Sequence, residues 1–310
     1  MTGAGISEEA GRGALLLPQL HGVLVLNKPS GPSSTRCLAA IKRLGQRKIG
    51  HAGTLDPLAA GVLLVLLGQA TKISPHLLAG GRKVYSGVLR LGQTTDTWDC
   101  EGDILDESPW DRVSAEDARR EVALWREVRE QPVPPYSAAK HNGQPLYRLA
   151  RKGRDMPQKV KRIKISQADA LDVSLPFVRF RVTCSSGTYI RSLAHSLGMR
   201  LGCGAVLTEL TREYSHPFGL DAACYLRDIE ADPSLLGRHL RPVAEALPEW
   251  TRVELAPGEA ARVRNGLPVF RSLTPKTENA LLLYQGDVLA LARRGAEAAP
   301  YWAVLRGLWK

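Results

Sequence analysis

The chain has 310 residues, enough for a sizeable core and for more than one average domain. Hydrophobic residues make up 44% and charged residues 24%, ordinary for a folded globular protein, which excludes wholesale disorder. Lys and Arg number 42 against 31 Asp and Glu, and the formal charge of +11 suits a polyanionic partner such as nucleic acid as readily as a merely soluble basic surface.

Residues 1–20 carry no basic stretch followed by an apolar one, so a flexible tail is expected there rather than a signal peptide. His21–Leu26 reads as a strand closed by the turn-rich Asn27–Ser34. Apolar residues at Cys37, Leu38, Ile41 and Leu44 give the spacing of an amphipathic helix, with serines just upstream as N-caps. Gly50–Gly61 (GHAGTLDPLAAG) reads as a loop, and Val62–Leu67 after it as a strand buried on both faces. That run is the longest apolar one, far short of the ~20 residues that span a bilayer, so no membrane partner is expected.

Lys83–Leu91 reads as a second strand, and Thr94–Asp106 as polar and turn-prone. Ser114–Arg129 has a capping box in Ser114 and Asp117 and one apolar face in Ala118, Val122 and Trp125, hence a helix broken by Gln131–Pro135. A short basic helix is expected at Leu146–Arg151. Phe177–Cys184 alternates, with Val178, Phe180 and Val182 on one face and Arg179 and Arg181 on the other. Tyr189–Leu201 is helical. Strands and helices mix without a strict βαβ repeat, so the fold class is α+β. From about Trp250 the chain turns to short strands (Leu281–Tyr284, Val288–Ala292, Trp302–Leu305), a small β-rich unit. The expected division is a tail over 1–20, a main domain over 21–248 and a β-rich domain over 249–310.

The five cysteines, Cys37, Cys100, Cys184, Cys203 and Cys224, are odd in number and form no CxxC pair. Reduced thiols in a cytoplasmic protein are expected, with no metal site. No Gly-rich phosphate loop suggests a nucleotide. Asp56 stands out. An Asp in a Gly-rich loop more commonly closes an Asx turn. This one, however, precedes a Pro in a loop leading straight into a buried strand, a rigid edge suited to nucleophilic or general-base work.

GHAGTLDPLAAGVL resembles the catalytic motif of the TruB family of tRNA pseudouridine synthases, with Ala60 where a hydroxyl residue is commoner. Four further blocks resemble that family in order: NKPSGPSS (Asn27–Ser34), KVYSGVLRLGQTTDTWDCEG (Lys83–Gly102), PPYSAAKHNGQPLYRLARKG (Pro134–Gly153) and CSSGTYIRSLAHSLGMRLGCGAVLTELTRE (Cys184–Glu213). The third has one residue fewer than usual between its prolines and tyrosine.

The resemblance implies a core of mixed, mainly antiparallel sheet with flanking helices, and a PUA-like RNA-binding domain at the C-terminus. It implies a cofactor-free isomerisation of uridine to pseudouridine at position 55 in the T arm of tRNA. The target base is flipped out of its stack to reach the enzyme. Asp56 matches the essential aspartate, Tyr85 the tyrosine that stacks on the base, and Arg191 the arginine that pairs with the carboxylate. His51 matches a histidine that helps displace the base. Lys28 and Tyr189 fall at positions packed around the pocket, and Leu210 on its apolar wall. Arg148, Arg151, Lys152, Arg154, Lys159, Lys161, Arg162 and Lys164 are the expected RNA-binding set, within or beside an RNA-gripping insertion over 108–161. That insertion favours a stand-alone enzyme over a guide-RNA-dependent relative, the intact positions Asp56, Tyr85 and Arg191 count against an RNA chaperone without catalysis, and a monomer is expected.

Overall fold

The computed structural model describes residues 16–137, 140–141, 144–145, 159–271, 278–295 and 301–309. The basic helix expected at Leu146–Arg151, and Arg148, Arg151, Lys152 and Arg154, lie outside them.

β1 (Gly22–Lys28) leads into α1 (Ser34–Arg43), whose Ser33 cap accepts the Arg36 N–H at 3.2 Å. β2 (Ile49–Ala52) and β3 (Ala59–Leu67) flank the loop that carries Asp56. α2 (Ser74–Ala79), β4 (Arg82–Leu91) and the β5 (Gln93–Thr95) and β6 (Ile104–Glu107) hairpin follow. α3 (Ala115–Ala123) has the expected capping box and continues as a 3₁₀ turn over Leu124–Glu127. β7 (Glu130–Pro132), β8 (Lys140–His141), β9 (Gln144–Pro145) and β10 (Val160–Arg162) are short. β11 (Ile165–Ser174), β12 (Phe177–Ser185), α4 (Ile190–Arg200) and β13 (Ala205–Ser215) complete the scaffold of the site. Two-residue strands β14 (Phe218–Gly219), β15 (Cys224–Tyr225) and β16 (Leu240–Arg241) border it.

Among the described residues these strands build one ten-stranded mixed sheet along the path β11-β12-β4-β13-β3-β1-β15, with β14, β16 and β2 attached at its sides. Most pairs are antiparallel; β13 runs parallel to β3, and β15 parallel to β1. The α+β expectation with flanking helices therefore holds.

β3 lies between β1 and β13, and every residue from Val62 to Leu67 is buried, which is why its run is continuously apolar. On β12, Val178, Phe180 and Val182 are buried while Arg179 and Arg181 face out, as alternation requires. The expectation of a plain loop over Gly50–Gly61 needs correction. Its first residues form β2 because β3 offers them a partner, with His51 opposite Val65. No alternation in IGHA announces that strand, since it depends on pairing alone.

The last segment forms a five-stranded sheet in the order β17 (Thr251–Glu254), β19 (Asn279–Tyr284), β20 (Asp287–Arg294), β21 (Tyr301–Gly307) and β18 (Val269–Phe270). A helix at Pro257–Arg264 packs Ala260 and Val263 into its core. Leu281, Leu283, Leu291 and Leu308 join Val23, Val62 and Leu64 of the large sheet in one apolar cluster. The two sheets thus share buried surface.

Trp125 is fully buried and meets Phe180 edge-on, ring centres 5.0 Å apart, where α3 and its 3₁₀ extension cover the sheet. Trp125→Ala is expected to cost about 3–5 kcal/mol in urea unfolding. A loss below about 1 kcal/mol would show that the helix contributes little to the core.

Candidate active site

Asp56 sits in the turn between β2 and β3, and the backbone on both sides of it is clamped. Ser34 Oγ, at the start of α1, donates to the Leu55 carbonyl at 2.9 Å and accepts the Leu55 N–H at 3.0 Å. The buried Lys28 ammonium donates to the carbonyls of Pro29 (2.8 Å), Pro57 (3.2 Å) and Ala59 (2.6 Å). Arg212, fully buried on β13, donates to the carbonyls of Val62 (2.7 Å) and Gly53 (2.8 Å). Gly61 lets β13 come this close: its φ is +100°, and a Cβ there would collide with the Arg212 backbone. Buried cations whose donors are spent on carbonyls act here as rigid struts.

The carboxylate of Asp56, 38% exposed, receives Nη2 of Arg191 at 2.9 Å. Arg191 stands in the first turn of α4 and is 5% exposed. Its guanidinium also donates to the carbonyls of Thr97 (2.8 Å) and Tyr136 (2.9 Å), and Asp99 lies 3.6 Å away. The guanidinium is thus held by backbone on one side, and its charge-assisted hydrogen bond orients Asp56 on the other. Burial pushes the Asp99 carboxyl upward, opposed by the Thr97 hydroxyl and Arg191. Gln131 secures the entry to α4, accepting the Tyr189 N–H at 2.6 Å and donating to its carbonyl at 3.1 Å.

Asp56 and Arg191 lie in the wall of a cavity of about 510 Å³ that also takes in Tyr85, Tyr189, Leu210, Lys159 and Lys161. Tyr85 is buried on β4 opposite Arg212, and burial raises its phenol, so the ring is neutral at ordinary pH. Other expected residues stand elsewhere. Lys28 lies behind the loop and holds it. His51, on β2, is outside the cavity wall; burial and then Arg212 lower its imidazole, and Nδ1 has no partner among the described residues. Arg162 is exposed and pairs with Glu130 at 3.2 Å; Lys164 is exposed as well.

Sequence reasoning assigned no role at the site to Ser34, read only as a helix-cap candidate, nor any role to Lys83, Asp99, Gln131 or Arg212. The signal for two of them is periodicity. Lys83 and Arg212 stand two residues from Tyr85 and Leu210, on the same strand faces.

A family model described as "TruB family pseudouridylate synthase (N terminal domain)" matches residues 42–190. The chain is 60% identical over 302 residues to the tRNA pseudouridine synthase B of Oleidesulfovibrio alaskensis, covering 94% of this chain and 98% of that one. It is 40% identical over 255 residues to the synthase B of Geobacter sulfurreducens, covering 81% and 84%. A Cbf5–Nop10–Gar1 complex contains a chain of like fold (TM-score 0.67, 24% identity, 93% and 85% covered). So does an H/ACA ribonucleoprotein bound to a substrate RNA (TM-score 0.67, 22% identity, 94% and 86% covered). The fold and the relatives of high identity make this chain a pseudouridine synthase. The chain belongs to the TruB family.

Lys83 is 7% exposed, and burial, then Arg212, lower its amine from 10.5 to about 7. Its proton is thus held more weakly in the folded chain than in the unfolded one. Between pH 7 and 10.5 the unfolded chain binds the extra proton, so folding stability rises with pH through this window. Relative to Lys83→Met, the wild-type unfolding free energy should climb by up to about 1.4 kcal/mol per pH unit there. Parallel pH–stability curves would overturn this.

Proposed function

We propose that this protein isomerises uridine to pseudouridine at position 55 in the T arm of tRNA, acting alone and without a cofactor. The observation that carries the reading is the Asp56–Arg191 pair, 2.9 Å apart in the cavity wall of a TruB-family chain. Relatives of high identity are named for the tRNA reaction.

The N1–C1′ bond of the target uridine breaks, the base turns, and a C5–C1′ bond forms; C5 loses a proton and N1 gains one. The reaction is redox-neutral. Asp56 is the essential carboxylate, oriented by Arg191. The base must leave its stack to reach Asp56, and Tyr85 offers an uncharged ring against which it can lie. Leu210 and Tyr189 complete the apolar and aromatic wall. Neutral His51 stands beside the site and helps displace the base. Lys159, Lys161, Arg162 and Lys164, with Arg148, Arg151, Lys152 and Arg154, contact tRNA phosphates, and the C-terminal sheet acts as a PUA-like RNA-binding unit. The protein works as a cytoplasmic monomer.

The test is tritium release from an unmodified tRNA transcript labelled at uridine C5, with no guide RNA, metal or nucleotide added. One label per tRNA should be released. Asp56→Asn should abolish release while leaving tRNA affinity within about threefold, since the amide keeps the shape and loses the charge. No release by the wild type, with tight tRNA binding retained, would favour a guide-dependent enzyme or an RNA chaperone. In the same assay, affinity should fall linearly in log–log form with salt, by about 0.7–0.9 in slope per phosphate neutralised. A flat response would overturn the assignment of the basic residues.

A further inference from the structure

Four cationic side chains are buried among the described residues: Lys28, Lys83, Arg191 and Arg212. Three of them spend their donors on carbonyls or carboxylates. Lys83 makes no side-chain hydrogen bond or ion pair among the described residues. A buried ammonium without an acceptor is costly, and structures retain one rarely without a use for it.

Lys83 lines the active-site cavity. The catalytic loop bends closely past it, since a Cβ on Gly53 would stand 2.7 Å from its Nζ. A second cation, Lys161 on β10, unpaired among the described residues, lines the same cavity. Lys161 lies across the turn that follows β12, where Gly187 adopts φ +85° and a Cβ would collide with the Lys161 ammonium. That turn is anchored: the Ser185 N–H donates to the Lys164 carbonyl at 2.8 Å, and the Ser185 side-chain Oγ accepts the Lys164 N–H at 3.0 Å. Thr188 Oγ1 donates to the Ser185 carbonyl at 2.9 Å. The cavity is therefore polar in charge. Asp56 and its arginine form one part of the wall, and two cations with no counter-ion among the described residues, beside a pre-formed glycine turn, form another.

We infer that Lys83 and Lys161, with the Ser186–Gly187 turn, form a subsite for a phosphodiester of the RNA strand, anchoring the target nucleotide by its own backbone while its base faces Asp56. The inference rests on the proposed RNA substrate. In RNA at neutral pH the phosphodiester is the anionic group; base and ribose are uncharged, so a site built to receive an anion from this substrate receives a phosphate. A phosphate also supplies the acceptors that Lys83 lacks.

The charge state of Lys83 makes the contact measurable. The charged and titratable groups facing it are Arg212 on β13, Cys184 on β12 and Lys161 on β10; Tyr85 neighbours it on β4. Burial pushes the Cys184 thiol up to about 11 and raises the Tyr85 phenol, so neither changes charge near neutrality. Lys83 does, and a bound phosphate favours its protonated form, so binding takes up a proton above pH 7.

The experiment is single-turnover tritium release and direct binding with full-length protein and the labelled transcript, between pH 6.5 and 9. Lys83→Met should raise the half-saturating concentration about tenfold or more and leave the saturating rate within about threefold. Lys83→Arg, charged throughout, should keep neutral-pH affinity and flatten the decline of wild-type affinity above pH 7. Lys161→Gln, a surface change that leaves folding intact, should show the same split more weakly. Transcripts with single neutral methylphosphonates around the target uridine locate the contact: at one position the penalty seen with wild type should vanish with Lys83→Met. Equal affinities for wild type and Lys83→Met, or methylphosphonate penalties unchanged by the variant, would overturn the subsite. A reversal of wild-type binding by inorganic phosphate at low millimolar concentration, with no methylphosphonate effect, would mean a free-anion site instead. A wild type that binds but releases no tritium would defeat the catalytic reading, and the binding arms would still decide the subsite.

Discussion

The site depends on the way buried donors seize the backbone of one loop. Lys28 from β1, Ser34 from α1 and Arg212 from β13 reach carbonyls on either side of Asp56. A short Gly-rich segment left to itself would sample many conformations. Here its polar groups are held by three separate elements of the scaffold. The carboxylate that emerges between the clamps has little freedom, and this fixed position gives the Arg191 pair its meaning.

Arg191 repeats the principle from the other side. Its donors to Thr97 and Tyr136 hold the guanidinium whether or not Asp56 stays in place. The Asp96–Gly102 turn supplies Asp99 as a second buried carboxylate beside it, and Trp98 of that turn stacks on His195 of α4 with ring centres 4.4 Å apart. The helix carrying Arg191 and the turn holding it are thus packed together. Donors held in place before a charge appears need little reorganisation to meet it.

The same buried cations divide into two kinds. Those fully engaged by backbone stiffen the fold, and that is why Lys28 lies behind the loop although its sequence motif adjoins the pocket. Lys83, on the cavity side and without a side-chain partner among the described residues, bears the desolvation of its charge uncompensated.

Sequence by itself determined the local devices and the inventory of reactive groups. The Ser33 cap and the Ser114–Asp117 box are set by neighbours a few residues apart. The buried β3 run and the alternation of β12 follow from apolar pattern, and the motif positions of Asp56, Tyr85 and Arg191 are readable directly. β2 was not legible, because a strand made only by pairing leaves no periodic trace. Nor were the roles of Arg212, Lys28 and Lys83, since charge type is visible in a sequence but burial and partners are not. Tertiary structure alone decided which cation became a strut, which an orienting group, and which was left facing the cavity. That outcome depends on which strands lie side by side. The parallel placement of β13 against β3 puts Arg212 beneath the loop that carries Asp56, and no local rule of the chain encodes that neighbourhood.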